Sequence, residues 1–200
     1  MIKKRILTIL AAIALVSGFT TTAFAELFSF GVGIPVQHNF TSEWEETGET
    51  VESDGTSGAF IHVKFPIMLG VGYENYTTKL KPVDNTVDDM SITINMIDVF
   101  WLTPVPIINF TIGAGLGTTD IDCEYSNGDS CDDRFKDPVP GSAYQWYLQL
   151  GYEFLPYLDA HVSYHNVTAK VTYEDDAPSN GGDTDALNGN VIGIGVAFIF

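Results

Sequence analysis

The sequence predicts an all-β protein: a closed, eight-stranded, antiparallel up-and-down transmembrane β-barrel, with short turns at one end and four long loops at the other. Three observations predict it. Apolar residues recur at every second position in eight separate stretches. The connections between those stretches alternate short and long along the chain. Finally, one face of the strands is large and apolar while the other is rich in glycine.

The chain begins with Lys3, Lys4 and Arg5, an apolar run ILTILAAIALV, and Ala23-Phe24-Ala25. A basic start, a short apolar centre and a small-residue site describe a secretory signal peptide, so residues 1–25 are expected to be cleaved and 26–200 to form the barrel. The run is shorter than the roughly 20 apolar residues that cross a bilayer, and it ends in polar Thr20–Thr22. Cleavage removes three of nine basic side chains and leaves six against 26 acidic ones. Nucleic acid is therefore not an expected partner, because phosphate neutralisation needs cations.

Strand one, LFSFGVGIPVQ, sets Phe28, Phe30, Val32, Ile34 and Val36 against Ser29, Gly31, Gly33 and Pro35. Strand two sets Ala59, Ile61, Val63 and Phe65 against Phe60, His62 and Lys64, and strand three sets Leu69, Val71 and Tyr73 against Gly70, Gly72 and Glu74. Strand four alternates Met90, Ile92, Ile94 and Met96 against Ser91, Thr93 and Asn95, then slips so that Ile97, Val99 and Trp101 become the apolar set. A bulge near Met96 would return Asp98 to the polar face. Strand five sets Phe110, Ile112, Ala114 and Leu116 against Asn109, Thr111, Gly113 and Gly115. Strand six places Tyr144, Trp146, Leu148, Leu150, Tyr152 and Phe154 on one face. Strand seven sets Leu158, Ala160, Val162 and Tyr164 against Asp159, His161, Ser163 and His165. The eighth, VIGIGVAFIF, closes the chain at Phe200. Short turns hold Pro66, Pro104, Pro106 and Pro156; the long connections span roughly 41–57, 77–89, 118–142 and 174–189.

The glycines decide which face points where. On a wall facing water, Gly31, Gly33, Gly70, Gly72, Gly113, Gly115, Gly151, Gly193 and Gly195 would weaken strands without return. Inside a narrow barrel they make room for large neighbours. The other face is nearly uncharged and bears aromatics near strand ends, as a lipid-facing band does.

On these residues the chain resembles the small outer-membrane β-barrel proteins of Gram-negative bacteria, the OmpX, OmpA-barrel and OmpW-like group. The features are the signal peptide, the eight alternating strands and the terminal run ending in Phe200. The resemblance implies an outer-membrane location with extracellular loops and periplasmic termini. It implies outer-membrane lipid and lipopolysaccharide as surroundings, and an assembly machinery that reads Phe198 and Phe200.

Several residues are candidates for function. The inward parity gathers His62, Lys64, Glu74, Asp98, Gln145, Gln149, Glu153, Asp159, His161 and His165, expected to form a polar network that plugs the lumen. Buried charges need partners, and these groups can serve one another. His161-Val-Ser163 resembles the H-x-S pair of the lipid A deacylases, but Tyr164 follows where that family has Asn. No catalytic residue is expected beyond that alternative. Cys123 and Cys131, eight apart in a polar loop, are expected to form a disulfide in an oxidising compartment, being too few ligands for zinc. The acidic loops, Asp120–Asp133 and Glu174–Asp185, suggest loosely bound divalent cations and no tight cofactor site; near Asp183, Asp185 and Asn188, Leu187 occupies a needed calcium-ligand position. Three functions follow: a structural or surface-interaction barrel meeting an extracellular ligand through acidic loops, an OmpW-like conduit for small hydrophobic molecules, or a lipid A deacylase.

Overall fold

The computed structural model describes residues 28–43, 50–81, 87–105, 108–130, 142–172 and 184–200. The signal-peptide segment 1–25, Cys131, Asp183 and the centres of the four long loops lie outside the described residues. Among the described residues the secondary structure is all β, in nine segments: β1 (Ser29–Phe40), β2 (Ser53–Lys64), β3 (Leu69–Leu80), β4 (Val87–Val105), β5 (Ile108–Tyr125), β6 (Ala143–Leu155), β7 (Leu158–Thr172), β8 (Thr184–Ala186) and β9 (Gly189–Ile199).

Each strand pairs antiparallel with its neighbours in chain order, and β1 returns to β9 from Ser29–Ile199 to Phe40–Gly189, so the sheet closes. The short β8 pairs with β7 directly above β9, from which Leu187 and Asn188 separate it. The two form one stave, and the ring has eight. Towards the short turns closure leaves no free edge along the barrel wall and pairs the backbone, which a wall in hydrocarbon requires.

The parity read from the sequence holds through the half of the barrel nearest the short turns. Phe28, Phe30, Val32 and Ile34 point outward and are exposed, whereas Ser29, Gly31 and Gly33 are buried. Leu150, Tyr152, Val162, Ile194 and Phe198 are likewise exposed. Towards the long-loop end the pattern inverts. Asn75, Thr93, Asn95, Thr118 and Asp122 face outward, and Tyr76, Leu80, Ile92, Ile94, Met96, Ile121 and Val167 fill the interior. A wall apolar outside and polar inside suits lipid; one polar outside and apolar inside suits water. Staves such as β3 and β4 pass from the first arrangement to the second.

That inversion corrects the bulge placed near Met96. The β3–β4 ladder runs without a shift from Leu69–Trp101 to Leu80–Met90, and β4–β5 is equally regular past Met96. Ile92, Ile94, Met96, Asp98 and Phe100 all share the inward face and are buried. The apolar set changes sides because the solvent outside changes, not because the strand skips a residue. A bulge does occur in β1, between Pro35 and Gln37. Val36 and Gln37 are both exposed there, and His38 turns inward. The inversion also explains why strands extend into stretches expected to be loop, 77–80, 87–89, 118–125 and 184–186: above the apolar band, alternation by hydropathy fades or reverses.

One join is incomplete. The β1–β2 ladder runs from Ser29–Lys64 to Gly33–Phe60 and stops, although β1 continues to Phe40 and β2 begins at Ser53. A cleft of about 420 Å³ lies at this seam, lined among others by Gln37, His38, Glu52 and Thr56.

Candidate functional site

The lumen gathers most of the chemistry-bearing side chains, and glycine makes it possible. Gly31 is paired with His62, Gly70 with Phe100, Gly113 with Tyr147, Gly115 with both Asp98 and Gln145, and Gly195 with His161. At each, a Cβ on the glycine would run into the facing side chain. The larger partner lies over its glycine, as close packing in so narrow a space demands.

Near the short turns, Asn109 Nδ2 donates to Asp159 Oδ2 at 2.8 Å, and His161 Nδ1 stands 3.6 Å from Asp159 Oδ1. The His62 and His161 rings are 5.1 Å apart, and His62 meets Phe100 edge-on. Lys64 is 5% exposed. A cavity of about 40 Å³ lies among Lys64, His62, Thr111, Tyr147, Gln149 and Asp159. It is polar and large enough for a very few waters.

At mid-height Gln145 Nε2 donates to Asp98 Oδ1 at 2.7 Å. Gln145 Oε1 then faces His165 Nδ1 at 3.2 Å, and Glu74 Oε1 lies 3.3 Å from the same nitrogen. Two acceptors at Nδ1 place the ring proton there, so Nε2 accepts from the Ser163 hydroxyl at 2.8 Å. Tyr147 stacks on the His165 ring at 4.8 Å, with Phe60 at 4.9 Å on its other contact. Higher still, His38 Nδ1 lies 2.9 Å from Thr78 Oγ1, and Thr78 Oγ1 is 3.1 Å from Thr56 Oγ1. Above that comes the apolar interior of Ile92, Ile94, Val51 and Leu187, each at most 2% exposed.

Of the ten polar residues expected in the lumen, Lys64, Glu74, Asp98, Gln145, Asp159, His161 and His165 are buried there, and His62 and Gln149 line the cavity. Glu153 departs: it is exposed at the short-turn end, where its carboxylate accepts from Tyr157 N at 3.3 Å. Sequence reasoning missed His38, because the β1 bulge reverses its parity; Pro35 beside the polar run Gln37-His38-Asn39 was the available signal. All four histidines of the chain therefore line the interior. The structure pairs Ser163 with His165 rather than with His161. Ser163 is 4% exposed and abuts Gly193, whose added Cβ would also touch Phe60. Among the described residues no group of three or more His, Cys, Asp or Glu converges as a metal site. Cys123 lies on β5 at the long-loop end, 9% exposed, while Cys131 is outside the described residues. Phe198 on β9 and Phe200 just beyond it are 48% and 70% exposed.

No protein-family model matches the chain, and no curated protein matches it in sequence. Solved structures do match in fold. Neisserial surface protein A superposes with a TM-score of 0.61 at 10% identity, over 88% of this chain and 97% of that one. The outer membrane protein AlkL, determined in lipid bilayers, gives 0.53 at 8% identity over 90% and 94%. The attachment invasion locus protein of Yersinia pestis, in complex with the heparin analogue sucrose octasulfate, gives 0.51 at 13% identity over 87% and 99%. The fold is thus that of small eight-stranded outer-membrane barrels.

Proposed function

We propose that the chain is an outer-membrane barrel, its long loops extracellular and its termini periplasmic, that works through its outer surface and not through its lumen. The observation carrying this reading is the filled interior. A hydrogen-bonded polar layer around His165 lies beneath an apolar layer in which Ile92 and Ile94 are 0% exposed. Side chains occupying both levels support a plugged lumen, a non-catalytic role for Ser163 and His165, and an activity carried by the loops.

The charge of that surface favours a class of ligand. Glu43, Glu52, Asp54, Asp89, Asp122, Glu124 and Asp129 are exposed at the long-loop end. Lys79 and Lys81 there are held in ion pairs with Asp89 at 3.1 Å and Glu52 at 2.6 Å. A surface of this kind attracts cationic partners and loosely held divalent ions, the latter bridging to lipopolysaccharide, and repels sulfated polymers. In the same reading Phe198 and Phe200 are the address for outer-membrane assembly, residues 1–25 a cleaved leader, and Cys123–Cys131 a disulfide. The test is binding of a polycationic peptide and of heparin to the folded barrel in detergent. Salt-sensitive capture of the peptide without heparin binding is expected; preference for heparin would overturn the proposal.

The β1–β2 seam favours a second reading, an OmpW-like conduit in which small hydrophobic molecules leave through the wall. Uptake of an alkane probe into liposomes carrying the barrel would support it, and uptake no faster than in empty liposomes would end it.

A further inference from the structure

The two halves of the barrel repeat each other. FSFGVGI (28–34) in β1 corresponds to FTIGAGL (110–116) in β5, and GVGYENYTTKL (70–80) in β3 to HVSYHNVTAKV (161–171) in β7. The turns before β3 and β7 each carry a proline and a non-glycine residue in the left-handed region, Met68 (φ 63°) and Tyr157 (φ 70°). Corresponding staves are half a ring apart and so occupy opposite walls. Inside, the equivalent residues Glu74 and His165 meet at 3.3 Å. Residues related by a twofold axis along the barrel should meet in that way.

Outside, the repeat carries the same polar constellation twice. Tyr73, Asn75, Thr77 and Lys79 share the outward face of β3; Tyr164, Asn166, Thr168 and Lys170 share that of β7. The neighbouring stave completes each set, with Asn95 paired to Asn75 and Asn190 paired to Asn166. Asn95 Oδ1 accepts from the Tyr73 hydroxyl at 3.2 Å and from Asn75 Nδ2. Asn190 Oδ1 accepts from the Tyr164 hydroxyl at 2.6 Å and from Asn166 Nδ2 at 3.0 Å. With both acceptor positions of each Oδ1 taken, the amide group of Asn95 and of Asn190 is fixed, and its two N–H donors are left for a ligand.

The height of these constellations indicates the ligand. Each sits where the outward residues change from apolar (Val71, Val162) to polar, the level of lipid headgroups. The fixed amide donors common to both sites select an acceptor-rich group, and a phosphate meets that description. We propose that Tyr73–Asn75–Asn95 and Tyr164–Asn166–Asn190 are two equivalent binding sites for the phosphate-bearing headgroup of a glycolipid in the surrounding leaflet. Its acyl chains lie along the apolar wall below each tyrosine, and Lys170 supplies charge above the second site, while Lys79 above the first is shared with Asp89. The proposal rests on the barrel being embedded in an outer membrane; it is independent of what the acidic loops bind.

The experiment refolds the full barrel into phosphatidylcholine bilayers with and without lipid A and counts retained lipids by native mass spectrometry. Two lipid A molecules per barrel are expected. Asn95→Asp and Asn190→Asp keep the oxygen that accepts from Tyr and Asn but replace the outward donor with a negative charge. Each should lower retention to one, and the double variant to none. If the double variant fails to fold, Asn95→Ala and Asn190→Ala provide the same reading. Unchanged retention in the variants, or equal retention of phosphatidylcholine by the wild type, overturns the proposal. Gel mobility with and without boiling separates this from failure of the membrane reading, which would abolish the folded-barrel shift itself.

Discussion

At the scale of single residues, close approach and charge set the constraints. Gly117 is the sharpest case: a Cβ there would run into the Asn95 carbonyl oxygen and the backbone of Met96, neither of which can rotate away. Gly117→Ala should therefore destabilise the barrel by about 1–3 kcal/mol, seen as a lower urea midpoint for loss of the folded gel band. At the base of the loop joining β1 and β2, the Lys81 ammonium and its hydrogen bond hold the Glu52 carboxyl below the usual carboxylate range. A carboxyl depressed in this way contributes stability above its ordinary titration range and loses it as pH falls through the lowered value. Protease protection of residues 50–53 should thus weaken on acidification in the wild type, and Lys81→Ala should flatten that dependence; an unaltered pH profile in the variant would contradict the assignment. His38 shows what single-residue reading could not reach. Its parity depended on whether a bulge intervened at Pro35–Gln37, and Pro35 ahead of the polar run Gln37–Asn39 was the one sign of it, which hydropathic alternation does not weigh.

At the scale of elements, β4 carries the lesson. Two runs of opposite parity meet at Met96, and the rule that apolar residues face one solvent leads to a bulge that the ladder lacks. The alternation itself was legible, as were the staves, their order and the glycine-lined face. What could not be read was that the surroundings change along the strand, since periodicity reports a difference between faces without saying which is wet. A pair of substitutions separates the arrangements. Ile94→Ala opens a void in a fully buried layer and should cost about 2–5 kcal/mol. Ile97→Ala, at an outward residue that is 69% exposed, should cost well under half of that in the same urea titration. Under a bulged β4 both residues would face outward and the two costs would be alike. The mid-lumen partners were only partly legible for a similar reason: His161, Ser163 and His165 share one face of β7, but which histidine meets Ser163 depends on Glu74 and Gln145 from other staves.

At the scale of the whole molecule, the barrel is longer than its apolar band. Residues 118–125 of β5 continue beyond it, and eight tilted residues rise about 20 Å. The loops therefore start well clear of the apolar band, where an acidic surface can meet soluble cations. On the proposed plugged lumen, planar-bilayer recordings of the wild type should show no discrete channel steps, Ile92, Ile94 and Leu187 being fully buried near the long-loop end; stepwise conductance in the intact barrel would refute that proposal. Shortening Ile92 and Ile94 together to alanine is the variant expected to introduce a leak, if it still folds.

The pairing of bulky interior side chains with glycines has a consequence for assembly. Two strands of a sheet can slide past each other by one pleat and keep both their hydrogen bonding and their inside-outside sense. In this barrel such a slip is not neutral. Moving β2 by one pleat along β1 would take Phe60 off Gly33 and lay it against Pro35. The facing glycine acts as a detent that seats each strand at one position. The girth and stagger of the cylinder are fixed by where its smallest residues fall, so a misregistered closure would carry its own penalty before the last strand is sealed.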